Sequence, residues 1–203
     1  SLIRSMLKFA GLPTHHIPRV PTATESEIII PTNEEIKTYL DASPPTWKPL
    51  ILTMIHAGHR PIELRNSNKR DVDLSRNIIR IRPDASRKNQ FGREIPIHPE
   101  LKPVLEKLLT YHPYTAPLFP NRYGNRRGRL YDFHQRYRDK AELPKRIKMY
   151  HFRHVFCTRL LEAGNDPATV SKLMGHSGPG ITMRIYHHLR KEAAERAIFS
   201  VPG

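Results

Sequence analysis

The chain has 203 residues, with 34 Lys and Arg against 19 Asp and Glu and a formal net charge of +15. That length allows one good-sized hydrophobic core and a short appendage, and the charge favours a polyanionic partner, met either by a generally sticky basic protein or by specific nucleic-acid work. A single cysteine, Cys157, excludes an internal disulfide, no Cys/His set has structural zinc spacing, and no run approaches the roughly 18 apolar residues of a membrane span.

The chain starts at Ser1 with no secretory signal, which reads as a fragment working in a reducing, DNA-containing compartment, the host-cell cytoplasm. Leu2, Ile3, Met6 and Leu7 predict the end of a helix, stopped by Gly11 and Pro13. The proline-rich stretch from Thr14 to Pro31 has no helical period and reads as a linker. Residues 1–31 are therefore expected to be the end of a missing N-terminal DNA-binding domain plus a linker, and residues 32–203 a C-terminal catalytic domain.

Thr32 with Glu35 three residues on fits a capping box, opening a helix that carries Ile36, Tyr39 and Leu40. Trp47, Leu50, Ile51, Met54 and Ile55 fall on one helical face; Gly58 ends that helix and Pro61 suits the first turn of the next. Asn77 to Arg82 alternates Ile with Arg, a half-buried strand. Gly92 to Ile97 predicts a second strand, with the polar segment 83–91 as a hairpin tip. Leu101, Val104, Leu105 and Leu108 mark another helix. Residues 112–128 are turn-rich, and a helix follows from about Leu130 to Ala141.

Phe152, Val155, Phe156 and Leu160 make an apolar stripe ended by Gly164, and their company predicts a buried Cys157 thiol. Asp166 is a good N-cap for a short helix through Val170, Leu173 and Met174, ended by Gly175. Ile181, Ile185 and Leu189 are spaced by four, which sets Tyr186 on a helix one step off its buried face. A last helix is expected from about Lys191 to Phe199. The pattern is mainly α with a small antiparallel sheet.

Two arginine motifs precede Tyr186. One is Gly58-His59-Arg60-Pro61-Ile62-Glu63-Leu64, the other Tyr150-His151-Phe152-Arg153-His154, and Met174-Gly175-His176-Ser177 lies between the second and Tyr186. Lys88 stands five residues before the run Arg93-Glu94-Ile95-Pro96-Ile97. This order resembles the catalytic domain of the tyrosine recombinases, the phage integrase family, over roughly residues 32 to 199. The resemblance implies an enzyme that cuts and rejoins double-stranded DNA at a specific site through a 3′-phosphotyrosine bond, with no metal, cofactor or ATP. Tyr186 would be the nucleophile. Arg60, Arg153 and His176 would hold the phosphate, and Lys88 would protonate the leaving oxygen. The chemistry suits these types: an arginine fork stays charged and binds two phosphate oxygens, and a tyrosine attacks once positioned and deprotonated.

Three features depart from the family pattern. Tyr150 occupies a position usually held by His and sometimes Lys, with His151 beside it, so both are candidate site contacts. His176 to Tyr186 spans ten residues, one more than usual, an excess that Gly178-Pro179-Gly180 can absorb. The N-terminal clamping domain usual in the family is expected to precede this sequence. Arg87, Arg93, Arg122, Arg126, Arg127 and Arg129 are expected to contact DNA phosphates. The resemblance further implies a monomer in isolation and a homotetramer on DNA, performing integration, excision or resolution through a Holliday junction. A type IB topoisomerase, a telomere resolvase, or a DNA-binding protein that kept the fold without catalysis are the alternatives.

Overall fold

The computed structural model describes residues 28–83, 92–176 and 180–199, with residues 6 and 8–11 near the start. Helix α1 (Asn33–Ala42) opens on the capping box: the Thr32 hydroxyl accepts the Glu35 N–H at 3.1 Å, and the Glu35 carboxylate accepts the Thr32 N–H at 2.9 Å. Its inner face buries Ile36 and Tyr39. The Tyr39 hydroxyl accepts from the Trp47 indole at 3.0 Å and meets His134 Nδ1 at 3.0 Å, so a wholly buried aromatic cluster leaves no polar atom stranded.

Helix α2 (Lys48–Ala57) buries Leu50, Ile51, Met54 and Ile55. It ends where Gly58 turns left-handed at φ 61°, and a Cβ there would fall 2.4 Å from the Phe156 ring. Helix α3 (Pro61–Asn66) and a single 3₁₀ turn (Lys69–Asp71) lead into the sheet. Strands β1 (Val72–Asp73), β2 (Ile78–Ile81) and β3 (Arg93–Pro96) pair antiparallel in that order, Ile79 facing both Val72 and Ile95. The isoleucines Ile79, Ile81 and Ile95 point to the core, while Arg80 and Glu94 pair on the outer face at 3.0 Å.

Helices α4 (Lys102–Thr110), α5 (Leu130–Lys140), α6 (His151–Glu162), α7 (Pro167–Met174) and α8 (Gly180–Phe199) complete the domain. The Asp166 carboxylate caps α7 by accepting the Thr169 N–H at 2.9 Å. Helix α6 packs against α2, α7 and α8, and β3 reaches α7. These contacts bring the loop after α2, the end of α7 and the start of α8 to one place. Among the described residues no helix is long and apolar enough to cross a membrane.

The mainly α architecture with a small antiparallel sheet is the one the sequence predicts, with three differences of detail. The sheet gains the two-residue strand β1, too short to show a period of its own. One continuous helix of 20 residues replaces the two expected near the C-terminus. Its buried face is Thr182 and Ile185, while Ile181 is exposed. Residues 84–91 of the expected hairpin tip and residues 14–27 of the expected linker lie outside the described residues.

Candidate active site

Glu63 is the hub of the site. Pro61 sets the first turn of α3, which makes Glu63 the third helical residue, and its carboxylate turns back onto the Arg60 N–H at 2.7 Å. It also accepts from Arg60 Nη1 at 2.7 Å and from Arg93 Nη1 and Nη2 at 3.0 and 2.9 Å. These four hydrogen bonds fill the carboxylate's acceptor positions. Arg153 Nη1 adds an ion pair at 3.7 Å. Burial pushes the Glu63 carboxyl up, but the paired hydrogen bonds from Arg93 and its charge outweigh that and hold it down at about 2. Three guanidinium groups thus share one carboxylate, and positive charge is left over.

Arg153 is wholly buried on α6. Its Nη1 donates to the Gly58 carbonyl and its Nη2 to the Met174 carbonyl. Both acceptors stand at the C-terminal ends of helices, α2 and α7, where carbonyls lack helical partners and the dipole is negative. Burial lowers the Arg153 pKa to about 10, which leaves it charged at neutral pH.

Arg60 Nη2 donates to the Gly175 carbonyl at 2.6 Å. Gly175 ends α7 at φ 64°, and a Cβ there would meet Arg93 Nη1 at 2.7 Å. Only glycine lets the chain present this carbonyl beside the arginines.

His176 follows directly, and its Nδ1 lies 2.8 Å from Thr182 Oγ1 on α8. Burial, then the nearby Arg153 and Arg60 charges, depress its pKa to about 3, so the ring is neutral. His59, buried beneath the cluster, is likewise held to about 3, first by desolvation. Arg153 Nε, Arg93 Nε and His176 Nε2 are buried without a hydrogen-bond partner among the described residues. Several unsatisfied polar nitrogens beside surplus positive charge make a cradle for an anion.

Tyr186 lies one turn beyond Thr182 on α8, half-buried against the core. The Arg190 guanidinium stands 6.0 Å from its ring centroid and the His187 ring also 6.0 Å away. The Arg153 guanidinium lies 5.9 Å from the Tyr150 ring, which meets His154 edge-on at 5.1 Å. His151 stacks on His154 at 5.4 Å, and its Nδ1 accepts the Lys148 N–H.

The fold therefore gathers Arg60, Arg153, His176 and Arg93, with Tyr150 against Arg153. Lys88 and Arg87 lie outside the described residues. Arg122 and Arg129 are exposed, Arg122 over the Tyr123 ring at 4.6 Å. Arg126 Nη1 donates to the Arg65 carbonyl and Arg127 Nη2 to the Thr46 carbonyl, both at 2.9 Å. Sequence reasoning did not single out Glu63 or Thr182. Glu63 carries a readable signal, because an acid three residues after a helix-opening arginine can reach back to it. Thr182 carries none, since its contact with His176 depends on how α7 and α8 pack together. Among the described residues no group of three or more His, Cys, Asp or Glu side chains could hold a metal ion.

The family model for the phage integrase family matches residues 30–193. The chain belongs to the phage integrase family, the tyrosine recombinases. This integrase-family chain is 32% identical over 213 residues to tyrosine recombinase XerA of Thermococcus kodakarensis, covering 96% of the chain and 72% of that protein. Tyrosine recombinase XerC of Chlamydia caviae is 31% identical over 200 residues, 91% of the chain and 62% of that protein. Among solved structures, XerA recombinase superposes with a TM-score of 0.70 at 20% identity, over 96% of this chain and 72% of that one. The Tn1549 transposon integrase in complex with circular intermediate DNA gives 0.72 at 19% identity, over 91% and 70%. The tyrosine recombinase fold is common to all of them.

Proposed function

We propose that this chain is the catalytic domain of a site-specific DNA recombinase that cuts and rejoins strands through Tyr186. The observation that carries the reading is the buried cluster around Glu63, where Arg60, Arg93 and Arg153 share one carboxylate and keep net positive charge. A phosphodiester is the anion that the family's chemistry brings to such a cradle. Arg60 and Arg153 bind the non-bridging oxygens, with His176 as a neutral hydrogen-bonding partner, and charge that develops in the transition state meets donors already in place.

Tyr186 Oη, its proton released to solvent, attacks phosphorus. The bond from phosphorus to the 5′ oxygen breaks, a 3′-phosphotyrosine forms, and Lys88 gives the leaving oxygen its proton. A 5′-hydroxyl from a partner strand reverses the step. The phosphotyrosine conserves the bond energy, so the reaction needs neither ATP nor a divalent metal. Tyr150, beside Arg153 and edge-on to His154, contributes a hydroxyl where the family usually has His or Lys.

The partner is double-stranded DNA carrying a recombination site, bound in the host cytoplasm. Contacts to DNA phosphates are assigned to Arg87, Arg93, Arg122, Arg126, Arg127 and Arg129. The working assembly is a homotetramer on two sites, resolving a Holliday junction. Residues 1–31 form the end of a DNA-clamping domain and its linker. The XerA and XerC names of the relatives, and the DNA in the Tn1549 integrase complex, support this reading.

The test is covalent capture of nicked DNA carrying the element's junction, in EDTA, followed by denaturation. A protein–DNA adduct from the wild type, absent from Tyr186→Phe with DNA binding kept, is the expected result. Binding with no adduct from the protein as its host makes it would leave a DNA-binding protein without catalysis. Plasmid relaxation without strand exchange would make it a topoisomerase.

A further inference from the structure

His176 has one nitrogen held and one free. Nδ1 lies 2.8 Å from Thr182 Oγ1, and Nε2 is buried with no partner among the described residues. The charged and titratable groups acting on the ring are Arg153, Arg60, His154 and Arg93. Thr182 is itself wholly buried, in the first turn of α8. A hydroxyl so placed is not a solvated surface group; among the described residues its partners include the imidazole and the Cys157 side chain of α6.

A neutral imidazole carries one proton, and the partner at one nitrogen decides what the other can offer. An anion at the site requires a donor at Nε2. The Nδ1 lone pair must then accept, and the Thr182 hydroxyl is the group within reach to donate to it. The Cys157 thiol beside Thr182 can in turn donate to the threonine oxygen, so every proton has a place.

We infer that Thr182 is a positioning residue for the recombination chemistry: its hydroxyl donates to His176 Nδ1, fixes the ring, and leaves Nε2–H facing the scissile phosphate. The assignment rests on the reading of the site as a phosphodiester cradle. It also ties the nucleophile to the phosphate ligand, because Thr182 and Tyr186 stand one turn apart on the same helix. Displacing the start of α8 moves both together.

Two variants separate the hydroxyl from the packing: Thr182→Val keeps the shape without the donor, and Thr182→Ser keeps the donor with less bulk. Nitrogen-15 spectra of the histidine rings, with His176 assigned from its His176→Gln counterpart, read the tautomer in the DNA-free protein. The expected wild-type and Thr182→Ser spectra show Nε2 protonated and Nδ1 accepting, and Thr182→Val loses that preference. In covalent capture, Thr182→Val should form adduct about ten-fold or more slowly with DNA affinity unchanged, and Thr182→Ser should recover most of the rate.

A wild-type ring protonated at Nδ1 overturns the assignment. So does a Thr182→Val protein that cleaves at the wild-type rate, or a Thr182→Ser protein as slow as Thr182→Val. A wild type that forms no adduct at all counts against the recombinase reading instead, and the ring spectra still decide the role of Thr182.

Discussion

Glu63 neutralises part of a charge that three arginines would otherwise hold at close range out of water. Glu63→Gln keeps the shape and removes the charge, leaving buried guanidinium groups uncompensated. The expected cost is about 3–5 kcal/mol of stability, measured as a shift in the urea midpoint at unchanged slope. A loss of less than about 1 kcal/mol would mean that the arginines find water or other acceptors in its absence. Arg60, Arg153 and His176 could be picked from sequence because they sit in short motifs of fixed spacing. Glu63 lay inside one of those motifs, yet its role depends on Arg93, brought to it by the sheet from 30 residues away. Tyr186 shows the same limit: its helix is legible from period, its half-buried setting only from packing.

Helices are where the sequence speaks most directly, since capping boxes and apolar stripes are local. Thr32 with Glu35, Asp166 with Thr169, and the glycine stops at Gly58 and Gly175 all stand where local chemistry puts them. The irregular stretch between α4 and α5 is the opposite case. Its shape comes from long side chains reaching distant carbonyls, which composition does not reveal. Lys69 Nζ donates to the carbonyls of Leu109, Tyr111 and His112 at 3.1, 2.6 and 2.7 Å, closing the end of α4 onto the 3₁₀ turn. Arg126 and Arg127 fasten the far end of the stretch to α3 and to the loop before α2. Lys69→Met should cost about 1–2 kcal/mol and raise protease cutting between residues 110 and 128, the segment it anchors. Unchanged cutting would show that the arginines hold the stretch without it.

At the scale of the whole molecule, the acid response is set by histidines more than by carboxylates. Burial leads the depression of His56, His134 and His154 to about 4, and of His59 and His176 to about 3. Unfolded, each takes a proton near 6.5; folded, each refuses it until the lower value. The unfolded state therefore binds more protons as pH falls, and the stability present above pH 6.5 is lost progressively toward pH 3. Glu63 adds a later loss, between its ordinary value of 4.5 and about 2. The melting temperature should be flat above pH 7 and begin to fall near pH 6, well before carboxylates titrate. A fall that starts only below pH 5 would show that these rings are more hydrated than their burial implies. The same close packing makes the single thiol of the chain a clock. Cys157 is wholly buried between α6 and α8, with its thiol pushed up to about 11. It should stay silent toward alkylating reagents until that seam opens, so its labelling rate times the opening of the helix that carries the nucleophile. Cysteines introduced on the surface could then carry dyes against a dark background.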